Sequence, residues 1–332
     1  MSLPKHAPTA EMDGLEGVVE DGAIARIVTR ISSQYVLAAL RGLVSGLGDI
    51  RDVVIVLTID SANAAHLDSR TGKGRIYAGV GEPPTDETRK PISIARVAES
   101  LGFPFETTRR RVQRLVRSGI CVRLGGGVII PTAILTRHRI TPAIGNVGEV
   151  RKFVRDLQAV GLLKDGATSR ALARPAGGDL GVAQIVARLS SEYILRALQL
   201  LVDAYGDMRT GIVAQAIVTA NTAHLDHMKG GGWRHSGLHE ALPDDARKPI
   251  RMSTLAASLN LPYDTLRGQV RRLVETGICT RVKGGLIVPG AVLQQPAAVS
   301  AMLDNVRFVR RFVRDLRAVG VIAGGAEGAS PA

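Results

Sequence analysis

The stretch KPISIARVAESLGFPFETTRRRVQRLVRSGICVRLGGGVIIP, residues 90–131, decides how this chain is read. Ile94, Val97, Ala98 and Leu101 recur on one face of a helical period, and Gly102-Phe103-Pro104 ends the run. Glu106 to Ser118 then predicts a second helix, with Thr108, Val112, Leu115 and Val116 as its buried stripe and Gly119 as its stop. Two β-branched runs follow, Ile120 to Leu124 and Val128 to Pro131, around Gly125-Gly126-Gly127, the pattern of a hairpin. The predicted order is helix, tight turn, helix, hairpin.

With the stripe inward, the same period turns Glu106, Thr107, Arg109, Arg110, Gln113 and Arg117 outward. Arginine grips guanine O6 and N7 bidentately, glutamine pairs with adenine, and threonine meets a thymine methyl or a phosphate, so this face carries the chemistry of base and backbone contact. A run of helical arginines is also the ordinary make-up of a solvated face.

Outward from this stretch, the chain repeats itself. Ile31-Ser32-Ser33-Gln34-Tyr35 matches Leu189-Ser190-Ser191-Glu192-Tyr193, and Arg89-Lys90-Pro91-Ile92 matches Arg247-Lys248-Pro249-Ile250, both at an offset of 158 residues. Gly119-Ile120-Cys121 matches Gly277-Ile278-Cys279 at the same offset, and Phe153-Val154-Arg155-Asp156-Leu157 matches Phe312-Val313-Arg314-Asp315-Leu316 at 159. A repeat of this length is one folded unit used twice. The second copy of the motif runs from Met252 to Leu259, through Leu261-Pro262, to Asp264–Thr276 and a hairpin tip at Gly284-Gly285. The copies are unequal. Phe105 to Leu124 holds six Arg and one Glu, whereas Tyr263 to Val282 holds four Arg against Asp264 and Glu275; Arg110 is replaced by Gly268 and Arg117 by Glu275.

This order resembles the winged helix-turn-helix of MarR-, IclR- and GntR-type bacterial regulators, over about 45 residues in each copy. The resemblance implies that the second helix enters the major groove and the hairpin, or wing, touches the adjacent backbone. The candidate DNA contacts are then Thr107, Arg109, Arg110, Gln113, Arg114, Arg117 and Arg123 in the first copy, and Thr265, Arg267, Arg271, Arg272, Arg281 and Lys283 in the second. In MarR-like proteins terminal helices of two subunits form the dimer interface. The resemblance implies that a fused duplication makes the same interface within one chain.

Flanking helices are predicted over Ser33–Leu47, Asp49–Leu67 and Glu149–Val160, and again over Val306–Val319. The fold class is therefore mainly α: two tandem winged helix-turn-helix domains with flanking packing helices in a pseudo-two-fold arrangement. A tail spans 1–22, the first domain 23–163, a linker rich in Ala, Gly and Arg 164–182, the second domain 183–322, and a second tail 323–332.

The bulk numbers agree. The 332 residues suffice for two domains with cores, and 45% hydrophobic residues exclude wholesale disorder. A net charge of +13 favours polyanionic partners. Aromatics are only 3% of the residues, which counts against a single-strand RNA reader built on base stacking. No apolar run approaches the ~20 residues of a membrane span, and Met1 to His6 does not open a secretory signal. The expectation is a cytoplasmic protein whose partners are double-stranded DNA and, as an open alternative, a second copy of the chain, with no membrane.

The remaining candidates are weaker. Cys121 and Cys279, in the same repeated phrase, read as buried thiols. Asn63 and His66, repeated as Asn221 and His224, read as side chains that lock a helix to the hairpin unit, with an effector site as the alternative. Trp233, the single tryptophan, reads as packing or as a cap on a ligand. Ser69 to Arg75 lacks the Gly-Lys-Ser/Thr of a P-loop. No catalytic constellation, metal cluster or cofactor motif stands out. The expected function is a sequence-specific transcriptional regulator; the alternatives are a plasmid- or phage-type replication initiator and a winged-helix protein-interaction scaffold.

Overall fold

A computed structural model of the chain describes residues 24–68, 85–136, 147–163, 180–227 and 241–322. The expectations for the two tails, the glycine-rich loops and Trp233 lie outside the described residues.

The chain is mainly helical. In the first half, α1 (Ala25–Leu47) and α2 (Ile50–Ala64) lead through a 3₁₀ turn (Ala65–Asp68) towards α3 (Ile94–Leu101) and α4 (Phe105–Arg117). A hairpin of β1 (Val122–Leu124) and β2 (Gly127–Ile129) follows, then the short α5 (Thr132–Thr136) and α6 (Val147–Ala159). The second half repeats this as α7 (Leu180–Tyr205), α8 (Met208–Thr222), a 3₁₀ turn (Ala223–His227), α9 (Met252–Leu259), α10 (Tyr263–Glu275), β3 (Thr280–Val282), β4 (Gly285–Ile287) and α11 (Pro296–Ala318).

Helix α1 starts eight residues before the expected Ser33, because Ala25, Ile27, Val28 and Ile31 extend its buried face. It ends at Gly48, whose φ of +85° lets its N–H return to the Val44 carbonyl at 2.7 Å. One residue on, the Asp49 side chain accepts from the Arg51 N–H at 2.8 Å and so caps α2. Asp207 caps α8 in the same way through the Thr210 N–H at 3.0 Å. Helix α7 begins at Leu180, inside the stretch read as linker, where the apolar spacing of Val182, Ile185, Val186 and Leu189 already has helical period. Helix α11 starts at Pro296, ten residues before the expected Val306, with the proline in the first turn where its missing N–H costs nothing.

The helical layers of the two halves form one core. Helix α1 packs on α2 and α6 but also on α8 and α11, and α7 packs on α8 and α11 but also on α2 and α6. Each of these cross-half packings recurs with the halves exchanged. Where they meet, Tyr35 and Phe153 of the first half pack against Tyr193 and Phe312 of the second, with ring centroids 5.2–6.1 Å apart. Four of the chain's ten tyrosines and phenylalanines are thus committed to the seam. Tyr35 donates to Ser190 Oγ across it at 2.7 Å, and Gln215 Nε2 donates to Ser33 Oγ at 2.8 Å.

Outside this core, each half carries two helices and a hairpin. Strand β1 pairs antiparallel with β2 in the register Leu124↔Gly127, and Ile92 adds a bridge to Val128 on the other side. That third segment explains why Gly127 and Gly285 are glycines. A Cβ on Gly127 would lie 2.8 Å from the Ile92 carbonyl oxygen, and one on Gly285 only 2.2 Å from that of Ile250. The hairpin is shorter than its β-branched run because Ile120 and Cys121 serve another purpose. Their N–H groups both turn back to the Leu115 carbonyl, at 2.9 and 3.2 Å, and terminate α4.

Candidate nucleic-acid interface

Helix α4 buries Thr108, Val112 and Leu115, and α10 buries Leu266, Val270 and Leu273 at the equivalent positions. An ion-pair cluster adds to this packing of α4 against the core. Arg111 Nη1 donates to Asp52 Oδ1 at 2.8 Å and its Nη2 reaches Asp49 Oδ2 at 3.3 Å, while Arg114 Nη2 also pairs with Asp52. Asp52 is 1% exposed, so its charge is tolerable only because two guanidinium groups share it. Asp49 further binds Arg209 of the second half at 2.9 Å, joining α4 to the seam. Burial would raise the Asp49 pKa, yet the Arg51 amide and the Arg111 and Arg209 guanidinium groups hold it below its usual value. In the second half Gln269 stands for Arg111 and Thr210 for Asp52, and no ion pair joins them: Thr210 Oγ1 lies 2.7 Å from Gln269 Oε1 and 2.7 Å from the capping Asp207 Oδ2.

Of the expected DNA contacts in the first half, Arg110, Arg117 and Arg123 are exposed, while Thr107, Arg109 and Gln113 are partly so. Arg109 chelates Glu106 at 2.7 Å through both Nε and Nη2, and Arg110 Nε donates to the same carboxylate at 2.8 Å. The hydrogen bond from Arg109, followed by that from Arg110, pulls the Glu106 pKa down to about 2. Arg117 Nε lies 3.5 Å from the Gln113 carbonyl oxygen. Arg114 differs from the others because it is turned towards Asp52. In the second half Arg267 pairs with Asp264 at 3.4 Å and Arg271 with Glu275 at 3.3 Å; Arg272, Arg281 and Lys283 are exposed and Thr265 is half-buried. All the side-chain pairs on these outer faces are within one helix, the exposed kind that exchanges readily. Every residue of β1 and of β3 is exposed.

Asn63 and Asn221 form the joint between core and hairpin. Asn63 Nδ2 donates to the carbonyls of Lys90 at 2.8 Å and Val128 at 3.2 Å, and its Oδ1 accepts from the Ile130 N–H at 2.9 Å. Asn221 repeats this with Lys248, Leu286 and Val288 at 2.8, 3.0 and 3.0 Å. Both are fully buried. His66 is not part of the same lock, being half-buried with no hydrogen-bond partner for its Nδ1; His224 is half-buried too.

Sequence reasoning missed Arg111 with Asp49 and Asp52; the signal was an acidic residue set in the apolar run of α2. It also missed Phe105 and Tyr263, equivalent aromatics each 52% exposed at the first position of α4 and α10. Cys121 and Cys279 are buried free thiols, whose pKa values burial pushes up to about 12 and about 11. Among the described residues, no three His, Cys, Asp or Glu side chains are grouped to hold a metal, and no helix is long and apolar enough to cross a membrane. No protein-family model, characterised protein or solved structure matches the chain.

Proposed function

We propose that the chain is a sequence-specific double-stranded DNA-binding transcriptional regulator. Each helix–turn–helix–hairpin acts as a winged helix-turn-helix, and the shared helical core holds the two in a pseudo-two-fold arrangement. The observation that carries this reading is the outer face of α4. It presents Arg109, Arg110 and Arg117 beside an exposed hairpin strand bearing Arg123, on a helix whose inner face is fixed by apolar packing and a buried ion-pair cluster. A rigid helix with exposed bidentate donors suits groove readout, and the net charge of +13 supplies the phosphate attraction that dominates affinity. The second helix replaces Arg110 by Gly268 and Arg117 by Glu275, so α4 is the stronger reader.

Binding to selected duplexes measured across salt should give a steep log–log slope, and Arg110→Ala should relax base preference. A flat slope with unchanged preference would refute the reading. The exposed Phe105, Tyr263, Val122 and Leu124 favour a second reading, a protein-interaction module. No binding to any duplex at low salt would move the assignment there.

A further inference from the structure

The halves diverge at a buried arginine that both keep. In the first half Arg89 is 3% exposed and donates from Nη1 to Asp60 Oδ1 at 2.9 Å. Its counterpart Arg247 is 1% exposed, but the residue equivalent to Asp60 is Val218. Arg247 donates from Nη2 to the Leu242 carbonyl at 2.8 Å and from Nε to Asp244 at 3.3 Å, a carboxylate that is itself 51% exposed. Its Nη1 is buried with no hydrogen-bond partner. The half-exposed Asp244 offsets only part of the cost of burying this guanidinium, and Nη1 is left without the acceptor that Asp60 gives Arg89.

Arg247 lines a cavity of about 240 Å³ bounded by α1, α7, α8 and the segment leading into α11. The walls are chiefly apolar, with Leu37, Leu201, Ile212 and Leu225 among them. The described lining contains three arginines, Arg26, Arg30 and Arg247, and no aspartate or glutamate. Thr219 Oγ1, on the same lining, is also buried without a partner. Two unmet polar groups in a chiefly apolar cavity whose described lining bears arginines and no carboxylate describe a ligand with one anionic end and a hydrophobic body.

We propose that this cavity binds a small monocarboxylate with an apolar body, its carboxylate taking on Arg247 the place that Asp60 takes on Arg89. The carboxylate accepts from Arg247 Nη1, the Thr219 hydroxyl supplies a second hydrogen bond, and the leucine and isoleucine walls cover the hydrocarbon. A cavity of ~150 Å³ holds benzene, so this one takes about ten non-hydrogen atoms, the size of benzoate or octanoate. The walls come from both halves, and Ile278, immediately after the glycine that ends α10, is among them. Occupancy therefore bears on how the second helix–turn–helix–hairpin is seated on the core, and it does so whether or not that unit meets DNA.

The test titrates benzoate and octanoate, with benzamide and octanol as neutral counterparts, onto the full chain by calorimetry and by thermal unfolding. At least one carboxylate should bind, about tenfold or more tighter than its neutral counterpart, and raise Tm. Val218→Asp rebuilds the first half's ion pair in the second. It should raise Tm without added carboxylate and weaken carboxylate binding at least about tenfold, because a fixed carboxylate then occupies Arg247. Arg247→Met should lose the preference for the acid over the neutral form. The proposal is overturned if neither carboxylate binds, if acid and neutral forms bind alike, or if Val218→Asp binds carboxylate undiminished. Where a variant fails to fold, the acid-against-neutral preference of the unaltered chain decides.

Discussion

Replacing Asn63 by alanine removes three side-chain hydrogen bonds at once, and the structure sets how much each loss costs. The Lys90 carbonyl belongs to an exposed residue and can turn to water, so its bond is worth about 1 kcal/mol. The Val128 carbonyl keeps a second donor, the Ile92 N–H at 3.2 Å, and its loss is at most similar. The Ile130 N–H is the expensive group: Ile130 is 0% exposed and Asn63 Oδ1 is its acceptor at 2.9 Å, so orphaning it costs about 1–3 kcal/mol. Together these give a loss of about 2–5 kcal/mol, read as a shift of the urea midpoint at unchanged slope. Hydrogen exchange at the Ile130 amide should accelerate by more than that of buried amides in α1. Asn221→Ala should behave alike, since its bonds differ by no more than 0.2 Å. Asn63→Asp adds a pH signature. Its carboxylate would face two carbonyls in a buried site, raising its folded pKa, so the variant should be most stable in acid and lose stability as pH rises from about 4. A loss below about 1 kcal/mol for Asn63→Ala, with the Ile130 amide still protected, would refute the reasoning.

Two further outcomes follow from the same geometry. Gly268 lies within α10 with no atom within 4 Å of where a Cβ would project, so Gly268→Ala should stabilise the chain by about 0.5–1 kcal/mol in chemical denaturation. Burial works against the ionised forms of Asp49 and Asp207, yet their hydrogen bonds and arginine neighbours leave both pKa values below the usual 3.8. A depressed folded pKa contributes stability that is present above the unfolded value and lost as pH falls through the folded one, so Tm should be level at neutral pH and fall below about pH 4. In Asp49→Asn that fall should be smaller.

The parts legible in sequence were those written in local periodicity or in the repeat. The stripe of Thr108, Val112 and Leu115 oriented α4 correctly because burial there follows a 3.6-residue period. Asn63 stood out because it recurs as Asn221, and its lock proved to be made of backbone groups that any hairpin must supply. The cluster of Asp49, Asp52, Arg111 and Arg114 was not legible: it joins residues about 60 positions apart, and an arginine on a helix reads alike whether it faces solvent or a buried carboxylate. The hairpin was overextended for a related reason. The β-branched Ile120 and the Cys121 beside it have strand propensity, but helix termination claimed their N–H groups first.

The least legible feature was a missing one. Val218 is an ordinary, partly buried apolar residue on its own, and it becomes informative only beside Asp60 on the equivalent helix. In a symmetric homodimer a substitution appears in both subunits, so opening a cavity by removing Asp60 would also break the ion pair that seats the other unit. Fusion into one chain lifts that constraint. The first half has kept the charged fastenings, Arg89 to Asp60 and Arg111 to Asp52, that hold its helix pair rigidly to the core. The second has weaker fastenings in the same places, Thr210 with Gln269, and Arg247 beside Val218 with its Nη1 unmet and only the half-exposed Asp244 as ion-pair partner. A unit fastened by charge resists reorientation, and one resting on a cavity with an unmet donor responds to whatever fills it. On the proposed function the reading helix and the responsive helix are then different helices, which a symmetric homodimer could not arrange.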